Sequence, residues 1–102
     1  MRRARVFVNA VFAGILEELD NHTYRFTYDT HYQGLPVSLT MPTQQVIYDF
    51  EKFPAFFEGL LPEGSLLESI LRKYKLDRDD YFGLLLVVGA DVVGATTIEE
   101  IV

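Results

Sequence analysis

The chain has 102 residues, 9 Lys and Arg against 15 Asp and Glu, a formal net charge of −6, and neither cysteine nor tryptophan. That length suits one domain with one core, and 49% hydrophobic residues supply the apolar material to fill it. The absence of Cys excludes a disulfide framework, a thiol nucleophile and thiolate-held zinc, while the acidic balance argues against a direct nucleic-acid binder, which needs clustered Lys and Arg.

At the N-terminus, Arg2, Arg3 and Arg5 precede a stretch from Val6 to Leu16 that is apolar except for Asn9. A basic run before an apolar one imitates a secretory signal, but Asn9 leaves the apolar part too short. A β-hairpin is the better reading. Val6, Phe7, Val8, Val11 and Phe12 favour extended backbone, and Asn9-Ala10 falls where a turn belongs. The expected strands are Arg5–Val8 and Val11–Leu19, with Gly14 relieving a bend or bulge. The longest run of Leu, Val, Ala and Gly alone, Leu84 to Ala90, falls far short of the roughly 20 residues of a membrane span. A cytoplasmic location is the default.

Asp20-Asn21-His22 is a turn cluster. Thr23–Tyr28 then alternates, with Tyr24, Phe26 and Tyr28 on one face and Thr23, Arg25 and Thr27 on the other, as expected for a half-buried strand in an antiparallel meander. Asp29–Leu35 reads as a polar loop and Val37–Met41 as a short fourth strand stopped by Pro42.

The period changes in the second half. Pro54 suits a first helical position, and Phe53, Phe56, Phe57, Leu60 and Leu61 follow a spacing of three and four, closed by Pro62. Ser65-Leu66-Leu67-Glu68 matches a capping box and opens a stripe of Leu66, Leu67, Ile70, Leu71 and Tyr74. Arg72, Lys73 and Lys75 complement the C-terminus of that helix. Asp79 or Asp80 caps a third helix through Val88, with Gly89 suited to a left-handed exit. Val92–Ile98 reads as a last strand. Strands segregated before helices indicate an α+β fold, a single domain whose antiparallel sheet packs against about three helices.

Catalytic chemistry finds little support. His22 and His31 lie in or beside loops, nine residues apart, and do not form a metal pair on a helix face. Asp79-Asp80 reads as a helix cap with its dipole complement. Glu17-Glu18 and Glu99-Glu100 alternate across strands and form no carboxylate pairs. Ser38, Ser65 and Ser69 have no His or Lys placed to activate them. No glycine-rich phosphate loop or kinase catalytic motif occurs, so no cofactor, metal or catalytic residue is expected and the chain is read as a non-enzyme. The basic groups around Arg2–Arg5 and Arg72–Arg78 read as solvated faces. The aromatic cluster stands apart: Phe50, Phe53, Phe56, Phe57, Leu60 and Leu61 crowd together ahead of Pro62. Most must pack on the sheet, but a short helix cannot bury its whole circumference in two layers, which leaves one or two as surface anchors for a partner.

Four segments then become specific. Phe56-Phe57-Glu58-Gly59-Leu60-Leu61-Pro62-Glu63-Gly64, the helix to Tyr74, Asp80-Tyr81-Phe82-Gly83-Leu84-Leu85 and Gly89-Ala90-Asp91-Val92-Val93-Gly94-Ala95 together resemble the N-terminal subdomain of HipA-type serine/threonine kinase toxins. Val8–Leu16 and Pro36–Pro42 match the same subdomain's opening hairpin and its proline-ended strand. The resemblance spans essentially residues 1–102. In HipA-type toxins the nucleotide loop and catalytic residues lie downstream of this region, so the chain looks like the stand-alone version found as HipS in tripartite HipB–HipS–HipT systems.

The resemblance implies an antitoxin role: binding a HipT-like serine/threonine kinase toxin on its N-lobe in trans and restraining it. A HipB-like DNA-binding protein would be a possible third member of the complex. The expected contact region is Phe56–Leu66, with Phe57, Leu61, Glu63 and Ser65 most exposed; Ser65 also reads as a helix cap. Two rivals share the resemblance: an accessory subunit that activates or stabilises a split kinase, and an N-terminal fragment of a full-length HipA-like kinase. No direct nucleic-acid or membrane contact is expected.

Overall fold

The computed structural model describes residues 1–91 and 94–102. Strands β1 (Arg3–Val8) and β2 (Val11–Glu18) form the expected hairpin, with Val8 opposite Val11. Asn9 and Ala10 both take left-handed backbone, at φ 51° and 65°, which is the turn whose twist matches that of the flanking strands. Asn tolerates that conformation; Ala10 holds it at a steric cost. Val6 faces Gly14 and Phe7 faces Phe12, so Ala13 is the extra residue of a β-bulge. Gly14 is needed beside it, because a Cβ there would lie 2.3 Å from the carbonyl oxygen of Thr27.

Strand β3 (Tyr24–Tyr28) pairs with β2 and keeps the expected alternation, with Phe26 and Tyr28 buried. The next strand differs from expectation. Val37–Met41 is a turn closed by one bridge between Ser38 and Met41, and β4 is Ile47–Phe50, paired with β3. The Tyr28 side chain explains the change. Its hydroxyl accepts a hydrogen bond from the Val37 amide at 2.9 Å and donates to the Met41 carbonyl, so Val37 and Met41 turn inward around it instead of extending along a strand. In β4, Tyr48 and Phe50 turn toward the core while Ile47 and Asp49 point outward, and Asp49 pairs with Arg25 at 2.7 Å. Strand β5 (Thr96–Ile101) runs antiparallel to β1, which gives a sheet order of β4-β3-β2-β1-β5. The expected last strand began at Val92; Val92 and Val93 lie outside the described residues.

Three helices follow the meander: α1 (Ala55–Glu58), α2 (Gly64–Tyr74) and α3 (Tyr81–Val88), the last running into a 3-10 turn at Gly89–Asp91. Asp80 caps α3 by accepting from the Gly83 amide at 3.1 Å, as expected of one of the two aspartates. Gly89 takes right-handed backbone, not a left-handed exit. Its requirement is space: a Cβ there would meet Ile98 at 2.6 Å, so α3 docks directly on β5. The α+β architecture is therefore as expected, with an antiparallel sheet covered on one face. Val6 and Leu16 from the sheet, Phe26 at its centre, and Phe57, Phe82 and Leu85 from the helices form that core. Each large apolar side chain fully buried there contributes roughly 1.5–3 kcal/mol. The opposite sheet face, with Arg5, Phe7, Ile15, Arg25 and Thr27, stays half-exposed.

Candidate partner-docking surface

The aromatic cluster divides sharply between core and surface. Helix α1 is a single turn, so one side chain at its centre meets the sheet, and that residue is Phe57. Phe57 is fully buried, 6.1 Å from the Phe26 ring and 5.3 Å from that of Phe56. This corrects the expectation that Phe57 is among the most exposed residues of the segment: its ring plugs the layer between α1 and β3. Leu60 and Leu61 follow in a tight turn whose amides donate to the Phe57 and Glu58 carbonyls, each at 3.1 Å. Leu61 is half-buried, while Glu63 and Ser65 are exposed. Of the four expected contact residues, three are therefore not buried: Leu61 and Glu63 on the stretch that leads into α2, and Ser65 in its first turn.

The capping box is not formed. The N-cap of α2 is Glu63, two positions before Ser65, and no side chain caps the helix. Ser65 is thus already inside the first turn and cannot reach back to it. Glu68 turns instead to the Arg78 guanidinium. The chain leaves α2 through Lys75, left-handed at φ 55°, whose amide donates to the Leu71 carbonyl.

Helix α2 is amphipathic yet has no buried residue. A stripe of this kind normally seats a helix on its core. Here Leu67 and Leu71 are half-covered, but Leu66 and Tyr74 remain 60% and 48% exposed. Leu66, Ile70 and Tyr74 face a groove of about 660 Å³, whose far side is built from Leu60, Leu61 and Pro62 and from Val87 and Val88 at the end of α3. Sequence periodicity marks the α2 wall of this groove as an apolar stripe. Nothing local marks Val87 and Val88 as its other wall, because that depends on how α3 lies against β5.

Two polar features frame the surface. Arg72, Lys73 and Lys75 are exposed at the C-terminal end of α2, and the Lys73 ammonium lies 5.3 Å from the centre of the Tyr74 ring. Outside the lining of the groove, Arg2 donates to both oxygens of Glu18, at 2.9 and 2.8 Å, and to both oxygens of Asp80, at 3.1 and 2.8 Å. These bonds hold both carboxyls below their ordinary range and push the guanidinium further up. His22 and His31 are exposed, and among the described residues no cluster of His, Asp and Glu could hold a metal ion. No helix among them is long and apolar enough to cross a membrane. The arrangement offers an apolar groove with a basic end, which is binding chemistry.

Comparison with known proteins gives the family and the fold. A family model for the HipA N-terminal domain matches residues 4–99. An uncharacterized protein of Haemophilus influenzae is 34% identical over 100 residues, which are 98% of this chain and 93% of that protein. The solved structure of an N-terminal domain of HipA toxin superposes with a TM-score of 0.80 at 29% identity, covering 100% of this chain and 94% of that one. The HipA chain from a Shewanella oneidensis complex of HipA, HipB and operator DNA has the same fold, with a TM-score of 0.75 at 21% identity. There the match takes in 94% of this chain but 23% of the longer one.

Proposed function

The chain belongs to the HipA N-terminal domain family, and from that membership we propose that it is an antitoxin, a non-enzymatic cytoplasmic protein that binds a HipT-like serine/threonine kinase toxin in trans and restrains it. The observation that carries this reading is the extent of the match. Residues 4–99 are all HipA N-terminal domain, and the Haemophilus influenzae relative is spanned almost end to end, so the fold occurs without an attached kinase core in a protein of similar size.

In this reading the domain docks on the kinase N-lobe, on the surface that its fused counterpart covers in cis. Leu61 and Glu63, on the stretch that holds Pro62, and Ser65 in the first turn of α2 lead the contact, with Phe57 buried behind them. Restraint follows if the docked domain blocks substrate access or favours an inactive arrangement of a kinase loop, since a bound partner shifts a conformational equilibrium by its differential affinity for the two states. A HipB-like protein supplies any DNA contact, because this chain carries a net charge of −6. Phe57 acts from beneath the surface and is not itself a contact.

The experiment is co-expression. A HipT-like kinase from the same genome, induced alone, arrests growth, and induction of this chain alongside it restores colony formation. Continued arrest with both proteins present at comparable levels contradicts the antitoxin role.

A further inference from the structure

We propose that the groove between α2 and the end of α3 receives an amphipathic helix of the partner kinase, apolar along one face and carrying a carboxylate opposite Lys73. This rests on the docking reading above and names what the partner must present.

The walls exclude other shapes. Both sides of the groove are helix and tight turn: Leu66, Ile70 and Tyr74 on one, Leu60, Leu61 and Val87 on the other. Backbone amides and carbonyls in such walls are already bonded within their own elements, so an extended segment lying here would find no strand edge to pair with. A helix satisfies its own backbone and brings only side chains. The volume of about 660 Å³ leaves room for several side chains of such a helix. The stripe from Leu66 to Tyr74 is about 12 Å long at 1.5 Å per residue, the span over which a helix places three anchors at i, i+4 and i+7.

Charge adds one requirement. Arg72, Lys73 and Lys75 hold three of the nine basic residues of an acidic chain at one end of the groove. Among the described residues Lys73 makes no ion pair, and its ammonium stays beside the Tyr74 ring at the groove wall. Three full positive charges outweigh the half negative charge of the α2 C-terminus, so this end of the groove is positive. An entering helix fits best with a carboxylate there. Asp91, also on the groove rim, disfavours a second carboxylate on its own side.

The test is the affinity of the full chain for the HipT-like kinase of the same genome, by titration calorimetry, with Leu66→Asp and Lys73→Glu as variants. Both positions are exposed, so circular dichroism and melting should match wild type. We expect Leu66→Asp to weaken binding more than about tenfold, as loss of a central anchor does. Lys73→Glu should weaken it several-fold and flatten its salt dependence. Wild-type binding that both folded variants retain overturns the groove assignment while leaving the docking reading intact. Absence of wild-type binding overturns both. Self-association of the chain that Leu66→Asp abolishes, with kinase affinity unchanged, assigns the groove to a second copy and overturns the proposal.

Discussion

Arg2 Nη2 lies 2.8 Å from Asp80 Oδ1, bonding the entrance of β1 to the N-cap of α3 across 78 positions of sequence. The same guanidinium holds Glu18 at the end of β2 and lies 5.3 Å from the centre of the Phe82 ring. One side chain therefore ties the sheet to the only helix that buries a continuous run of its residues among those described. Gly83 makes room for it: a Cβ at that position would lie 2.3 Å from Asp80 Oδ2 and 3.1 Å from Arg2 Nη1. Gly83→Ala should therefore cost stability despite the better helix propensity of Ala, by about 1–2 kcal/mol through loss of the cap and loosening of the clamp. Urea unfolding of the variant against wild type reads that loss.

The clamp also sets an acid response. The Arg2 hydrogen bonds are the main cause that lowers the Glu18 and Asp80 carboxyls, against a smaller opposing effect of burial. Carboxyls depressed in the folded state bind fewer protons there than in the unfolded chain. Their stabilisation is complete above the ordinary carboxylate range of about pH 4 and is lost as pH falls through the lower folded values. The urea midpoint of wild type should fall on acidification below about pH 4. In Arg2→Met, which removes the main cause of the depression and leaves Asp80 only its Gly83 amide bond, the fall should be shallower, starting from a stability already lower at pH 7 by about 1–2 kcal/mol.

Tyr28→Phe isolates a single hydroxyl. Its loss leaves the buried Val37 amide without its acceptor and frees the Met41 carbonyl. The expected cost is about 1–3 kcal/mol. Hydrogen exchange should accelerate at Val37 well beyond the change at Leu16 or Phe26 in the core strands.

Phe57 and Leu61 separate core from surface within five residues. Phe57→Ala should cost about 3–5 kcal/mol, since the ring is fully enclosed and its neighbours Phe26 and Phe56 cannot close the gap. Glu63→Ala and Ser65→Ala should change stability by less than about 0.5 kcal/mol, because neither side chain is buried or caps α2. Thermal melts of the three variants measure this directly. A stability loss in Ser65→Ala comparable to that of Phe57→Ala would restore the helix-cap role.

Much of the sheet was legible because its signals are local. Asn9-Ala10 between β-branched and aromatic residues defined the hairpin, and Tyr24, Phe26 and Tyr28 defined the face of β3. Ile47–Phe50 also alternates, but it is a four-residue edge strand whose last residue merges into the aromatic run. Prolines at 36 and 42 bounded a strand-like segment that Tyr28 folds into a turn. In the candidate site, the surface position of Leu61, Glu63 and Ser65 was legible from the prolines and polar residues around them, whereas Phe57 was misplaced because spacing alone does not say which face of a one-turn helix meets the sheet. The open face of α2 was hidden for a related reason. An amphipathic stripe looks the same whether it covers a core or awaits a partner, and only the positions of α1 and α3 distinguish the two. The Arg2 clamp carries no local signal at all.

If this domain restrains a kinase that lacks it, phosphoryl transfer by the HipT-like kinase of the same genome must respond to it. With labelled ATP and rising amounts of this chain, transfer should fall toward zero as the chain reaches stoichiometry with the kinase. Transfer that rises instead would make the chain an activating subunit and rule out the antitoxin role.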